Sequence, residues 1–148
     1  CSIFKFSEKI KFDVITMWDV IEHIKDTHAL LKKIHKMLKK GGLFFFQTPN
    51  AHSLANSILH DRSNCFDGIE HVNLFSLKSI NIISKKNKFK IIDIRTVISE
   101  IPIIQNYLNF ENPYLGDSKC KKLFRHIDEK QMHDLLLGYK FQAILKKQ

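Results

Sequence analysis

Apolar residues recur along this chain at two spacings, one that suits strands and one that suits helices. Phe12-Asp13-Val14-Ile15-Thr16-Met17-Trp18 is a short apolar, β-branched run, too brief for a helix and fit for a buried strand. Further on, Asp26 can cap a helix whose apolar positions Leu30, Leu31, Ile34, Met37 and Leu38 share one face. The opposite face carries Lys32, Lys33, His35, Lys36 and Lys39. Lys39 and Lys40 suit the negative C-terminal end of that helix, and Gly41-Gly42 the left-handed turn beyond it. Leu43-Phe44-Phe45-Phe46-Gln47-Thr48 follows, apolar on consecutive positions and stopped by Pro49. Such a strand belongs inside a sheet covered on both faces.

Strand, helix, glycine turn and strand make a right-handed βαβ unit with parallel strands. The pattern then repeats. Ser76 can cap a helix through Leu77, Ile80, Ile83 and Ser84, and residues 90–96 form a third strand. Alternating elements of this kind specify an α/β layer fold. The stretch 51–73 is too long for a plain connection and carries a short helical piece from Leu54 to Leu59. Insertions at the carboxyl ends of parallel strands are where ligands sit. The last third predicts a helix over 99–108, a turn at Asn112-Pro113, a polar helix over 119–136, then Gly138 and a final strand over 139–145. The chain reads as one domain over 1–148, in which 51–75 and 97–137 are insertions that shape a pocket.

Composition narrows the class. The 148 residues are 44% hydrophobic and 26% charged, enough to bury a core and to exclude wholesale disorder. No apolar run approaches the roughly 18 to 20 residues of a membrane span. Three separated cysteines, Cys1, Cys65 and Cys120, include no Cys-x-x-Cys pair, which excludes a disulfide scaffold or zinc ribbon and suits reduced thiols in the cytoplasm. Lys+Arg exceeds Asp+Glu by 24 to 15, a net charge of +9. The lysines lie in dispersed pairs on helix faces, which gives non-specific phosphate attraction and no specific nucleic-acid partner. The oligomeric state is left open.

Phe12 to Asp26 contains Asp19-Val20-Ile21-Glu22-His23; it is followed by Leu38-Lys39-Lys40-Gly41-Gly42-Leu43 and by Thr48-Pro49-Asn50. These segments resemble the fourth and fifth strands, and the helix between them, of class I S-adenosylmethionine-dependent methyltransferases. Glu70-His71-Val72-Asn73-Leu74-Phe75-Ser76 is similar to that family's segment before the next helix, and Lys88-Phe89 stands where its sixth strand begins. The subgroup most resembled is that of ubiquinone-biosynthesis-like small-molecule methyltransferases. The resemblance implies a Rossmann-like fold, the C-terminal half of its sheet with parallel strands and a final antiparallel one. It also implies S-adenosylmethionine as cofactor and a small-molecule acceptor. The family's Gly-rich cofactor loop has no counterpart among Gly41, Gly42, Gly68, Gly116 and Gly138. The expectation is therefore a C-terminal part of a methyltransferase, inactive alone. The alternative is a cofactor-free pseudoenzyme or interaction module that keeps the half-fold.

By the same resemblance, Ser2 and Ile3 lie near the adenine-contacting turn, and Met17, Trp18 and Asp19 meet the cofactor at the end of the first strand. Glu22 and His23 are candidate catalytic residues, and His71 a second candidate base for a hydroxyl acceptor. In the subgroup an E-x-x-E-H group is implicated in holding a divalent cation. Here the first position is Asp19, so Glu22 and His23 are read as shaping the turn by hydrogen bonds, and no metal is assigned. Asn50 and Asp67 are loop residues at the same end.

Overall fold

The computed structural model describes residues 3–7, 9–66, 68–116 and 127–148. The first half runs through β1 (Phe12–Trp18), α1 (Thr27–Met37), β2 (Leu38–Pro49) and α2 (Leu54–Leu59). The second half has α3 (Leu77–Lys86), β3 (Phe89–Val97), α4 (Ile101–Leu108), α5 (Glu129–Asp134) and β4 (Lys140–Lys147). Local chemistry starts the helices where expected. Asp26 accepts from the Ala29 N–H at 2.8 Å to cap α1, and Ser76 and Ser79 form a reciprocal capping box on α3.

The four strands lie in the order β1-β2-β4-β3. β1 and β2 are parallel, and β4 runs antiparallel to both β2 and β3. The mixed α/β sheet is the Rossmann-like arrangement expected, with its last strand reversed. Phe44, Phe46, Phe141, Ala143, Leu145 and Met17 line one face and are buried together with Leu30, Leu31 and Ile34 of α1 and Ile80 of α3. Burial of this apolar surface is the main stabilising term of the domain.

Three expectations change. α1 stops at Met37, and Leu38 already pairs with Phe12. Lys39 to Gly42 form no separate turn; they bulge within β2, which advances from Leu38 to Leu43 while β1 advances only from Phe12 to Val14. Gly41 supplies a left-handed φ of +74° there, and a Cβ on Gly42 would press to 3.0 Å from the Lys39 carbonyl oxygen. Of the polar helix expected over 119–136, residues 119–126 lie outside the described residues, and the described remainder contains α5.

The third change concerns the second face of the sheet. Leu43, Phe45 and Gln47 are half-buried, whereas Val14, Thr16 and Trp18 are exposed, and no helix among the described residues covers them. Trp18 is 54% exposed and rests on Phe45 at 4.7 Å between ring centroids. The consecutive phenylalanines of β2 thus reflect one helix-covered face and one aromatic contact along the sheet. An open β1 edge beside an apolar face predicts self-association that grows with concentration. The V14K/W18K variant should sediment as a smaller species than the parent chain at the same concentration. A parent chain that sediments as a monomer throughout would refute this.

Candidate active site

β1 delivers the chain to the carboxyl end of the sheet, and Asp19 turns it there with a left-handed φ of 50°. The Asp19 N–H still donates to the Gln47 carbonyl at 3.1 Å. Its carboxylate Oδ2 accepts from Lys140 Nζ at 2.7 Å and from Gln47 Nε2 at 3.1 Å. Ile21, fully buried, pins the short 3-10 turn Ile21–His23 onto the core.

That turn sends Glu22 inward, where it is 1% exposed. Its Oε2 accepts from the Thr48 hydroxyl at 3.0 Å, while the buried Oε1 has no hydrogen-bond partner. His23 lies beside it, Nε2 at 4.0 Å from Glu22 Oε1, and its ring stands 5.1 Å from that of His71. His23 Nδ1 bonds the Glu70 carbonyl at 2.7 Å, and His71 Nδ1 the Cys65 carbonyl at 3.2 Å. A carbonyl oxygen only accepts, so both rings hold their proton on Nδ1, and when neutral they offer the Nε2 lone pair. Ligand-type atoms of Glu22, His23 and His71 lie within 4.8 Å of one another. Two imidazoles and a carboxylate are a donor set for a borderline divalent ion, and the unpartnered Glu22 oxygen fits that use.

The structure therefore joins Glu22, His23 and His71, and it separates Asp19 from them by giving it to Lys140. Met17 is buried in the core with its side chain on the helix-covered face, so its backbone is the part at the strand end. Ile3, in a 3-10 turn, packs against the same core, while Ser2 and Asp67 lie outside the described residues. Asn50 is not a loop residue open to a ligand. It is fully buried, donates to the carbonyls of Leu136 and Gly138 at 3.0 Å each, and accepts from the His52 N–H.

Sequence reasoning missed Thr48, Lys140, Glu100 and Tyr139. Lys140 lies 121 residues from Asp19, and only the antiparallel register of β4 brings them together. Glu100 carries one local signal, a left-handed φ of 54° before α4. Burial pushes its carboxyl up to about 7 against the opposing pull of Lys140. Burial, aided by the Glu100 charge, also drives the Tyr139 hydroxyl well above its ordinary value.

The two insertions meet nearby. Ala55 and Leu59 of α2 and Ile104 of α4 form a second small core. Against it opens a cavity of about 400 Å³ lined by Arg62, Tyr107, Leu108 and Phe110.

The family model of the methyltransferase domain matches residues 4–94. The chain belongs to this methyltransferase family. Its fold and motif order are those of class I S-adenosylmethionine-dependent methyltransferases. Among curated relatives of the methyltransferase domain, a ubiquinone biosynthesis O-methyltransferase of Pseudomonas syringae pv. tomato is 38% identical over 45 residues. That match takes in 30% of this chain and 19% of the relative. Two solved structures share the fold with a TM-score of 0.57 each. One is a possible histamine N-methyltransferase of Thermotoga maritima, 15% identical, covering 94% of this chain and 58% of that one. The other is magnesium protoporphyrin IX methyltransferase of Synechocystis with bound S-adenosylhomocysteine, 11% identical, covering 100% and 49%. This methyltransferase domain thus spans about half the length of these structures. No helix among its described residues is long and apolar enough to cross a membrane.

The raised value of Glu100 has a definite sign. Its folded-state pKa lies above the ordinary 4.5, so its contribution to stability is fully present below that value and is lost as the pH rises through about 7. E100Q should therefore match the parent in urea melts at pH 4. At pH 8 it should gain about 1 kcal/mol, less than the full shift implies because solvent screens a partly exposed group. An equal effect at both pH values would exclude ionisation as the cause.

Proposed function

We propose that this domain forms the acceptor side of a small-molecule O-methyltransferase, with His23 as the general base and His71 as its neighbour. The observation that carries this is the pair of rings whose Nδ1 atoms are held by backbone carbonyls, beside the unpartnered buried oxygen of Glu22. Bound S-adenosylmethionine supplies an electrophilic methyl group, so the protein has mainly to align the acceptor and exclude water. His23 Nε2 would take the proton of the acceptor hydroxyl, leaving the oxygen free to displace the sulfide as the sulfur–methyl bond of the sulfonium breaks. Glu22 steadies the resulting imidazolium through its charge at 4.0 Å. Trp18, with the backbone of Met17 and Asp19, forms one wall of the cofactor site, and Ile3 lies on the 3-10 turn Ile3–Lys5 assigned to the adenine side, with Ser2 outside the described residues. The insertions 51–75 and 97–137 shape the acceptor pocket, in line with the cavity between Arg62 and Phe110. The name of the Pseudomonas relative, an O-methyltransferase, supports a hydroxyl as the acceptor.

A metal-assisted form of this reading has its own support in the Glu22, His23 and His71 donor set. A divalent ion held by those three residues would orient and polarise an acceptor with adjacent hydroxyls. The competing reading of a cofactor-free interaction module has no comparable observation in its favour.

Three experiments test the proposal. The family's Gly-rich loop is not in this sequence, so calorimetric titration of the chain with S-adenosylmethionine should show little or no heat of binding; micromolar binding by a monodisperse monomer would overturn that expectation. In a protein that joins this chain to such a loop, H23Q should lower kcat for a hydroxyl acceptor by about 100-fold with little change in cofactor affinity. Unchanged turnover in H23Q and in H71Q would remove both rings from the mechanism. Chelation by EDTA separates the metal-assisted form, since activity restored by added divalent ion is expected only there.

A further inference from the structure

Folding gathers the lysines that the sequence disperses. β1, β2 and β3 start at one pole of the sheet, antiparallel β4 ends there, and so do α1 and α3. Between the last turns of the two helices lies a cavity of about 430 Å³ lined by Lys32, His35, Lys36, Lys86, Asn87 and Lys88. Among the described residues no acidic side chain lines it. Lysines in a last helical turn ordinarily complement the helix dipole, and that accounts for part of the pattern.

It does not account for two buried polar atoms without partners, His35 Nε2 and Asn87 Oδ1. Asn87 is only 5% exposed, and its amide is oriented by donation from Nδ2 to the Ile83 carbonyl at 2.7 Å. The free atom is therefore an acceptor. Burial, with Lys147 and Lys88 nearby, holds the His35 ring below its ordinary pKa, which favours the neutral ring. A neutral imidazole can present Nε2 as an acceptor too. The pocket thus pairs ammonium donors, which suit a phosphate, with two acceptors, which suit hydroxyl groups.

We propose that this pocket binds a hydroxyl-bearing phosphate ester, with the phosphate on the lysines and hydroxyls on Asn87 Oδ1 and His35 Nε2. The volume fits a phosphorylated sugar or a headgroup of that kind. The site stands at the opposite end of β2 from Glu22; at about 3.3 Å per residue the 12-residue strand separates the two by roughly 30 to 40 Å. It is thus a second site, independent of methyl transfer.

Ribose 5-phosphate is the probe, titrated calorimetrically into the full chain at about 150 mM salt. Saturable binding is expected, about tenfold or more tighter than for inorganic phosphate or for ribose alone. K32Q/K86Q, both exposed positions, should lose about tenfold or more while keeping the parent circular dichroism. N87A should bring ribose 5-phosphate down to the affinity of inorganic phosphate, and H35L is the second acceptor variant should N87A not fold. Vesicles containing phosphatidylinositol 4-phosphate identify the source: binding that ribose 5-phosphate displaces and K32Q/K86Q abolishes assigns a lipid headgroup, and no vesicle binding assigns a soluble ester. The proposal is overturned if neither probe saturates, if K32Q/K86Q binds as the parent does, or if all polyanions bind alike with a steep salt dependence.

Discussion

A strand buried between two neighbours must satisfy its backbone N–H and C=O groups along both edges, and of the two such strands, β4 and β2, it is β2 that joins the parallel and antiparallel parts of the sheet. It pairs with β1 in parallel from Val14↔Leu43 to Trp18↔Gln47, and with β4 in antiparallel from Leu43↔Lys146 to Pro49↔Lys140. Those registers decide which residues meet at the carboxyl end of the sheet. Thr48 comes under Glu22, and Lys140 comes beside Asp19. Asn50, just past the end of β2, ties the strand to Leu136, Gly138 and Tyr139 through both its side chain and its backbone. Pro49-Asn50 is thus a structural knot on which the surrounding loops depend.

The polar groups at this end are held in unequal ways. Asp19 has a cationic partner on Oδ2 while its buried Oδ1 has no hydrogen-bond partner, and Asn50 uses both its donor and its acceptor atoms. Glu22 is almost fully buried with one oxygen bonded and one unmatched, an arrangement that costs about 1 to 3 kcal/mol unless something further interacts with it. His23 and His71 lie beside it with ring centroids 5.1 Å apart, and their backbone-bonded Nδ1 atoms leave Nε2 turned away from the carbonyls that hold them. At the other pole Asn87 Oδ1 and His35 Nε2 are likewise buried without a hydrogen-bond partner, amid cations instead of imidazoles.

Much of the fold was legible in the chain because its signals are local. β1 spans the predicted Phe12–Trp18 run, α2 the predicted Leu54–Leu59 piece, and the Asp26 and Ser76 caps form as expected. The errors arise where tertiary pairing overrides a local preference. Gly41-Gly42 looks like a helix stop, yet pairing with β1 absorbs it as a bulge. Consecutive phenylalanines look like a strand covered twice, yet one of them packs along the sheet on Trp18. For the candidate site, Glu22 and His23 are adjacent in sequence and were legible as a pair. That His71 and not Asp19 would complete the group was not, because the turn after β1 points Asp19 toward β4.

The sequence alone determined the order of strands and helices, the capping of those helices and the apolar faces that drive them together. Each of these depends on residues within a turn or two of one another, where sterics and periodicity act without knowledge of the rest of the chain. Only the tertiary structure decided the partners of Asp19, Glu22 and Asn50, the raised pKa of Glu100 and the gathering of dispersed lysines at one pole. Those properties arise from charges and dipoles that are far apart in sequence and meet only once strand register fixes their separations. Electrostatic interaction depends on that separation and on burial, and neither is written in the sequence spacing.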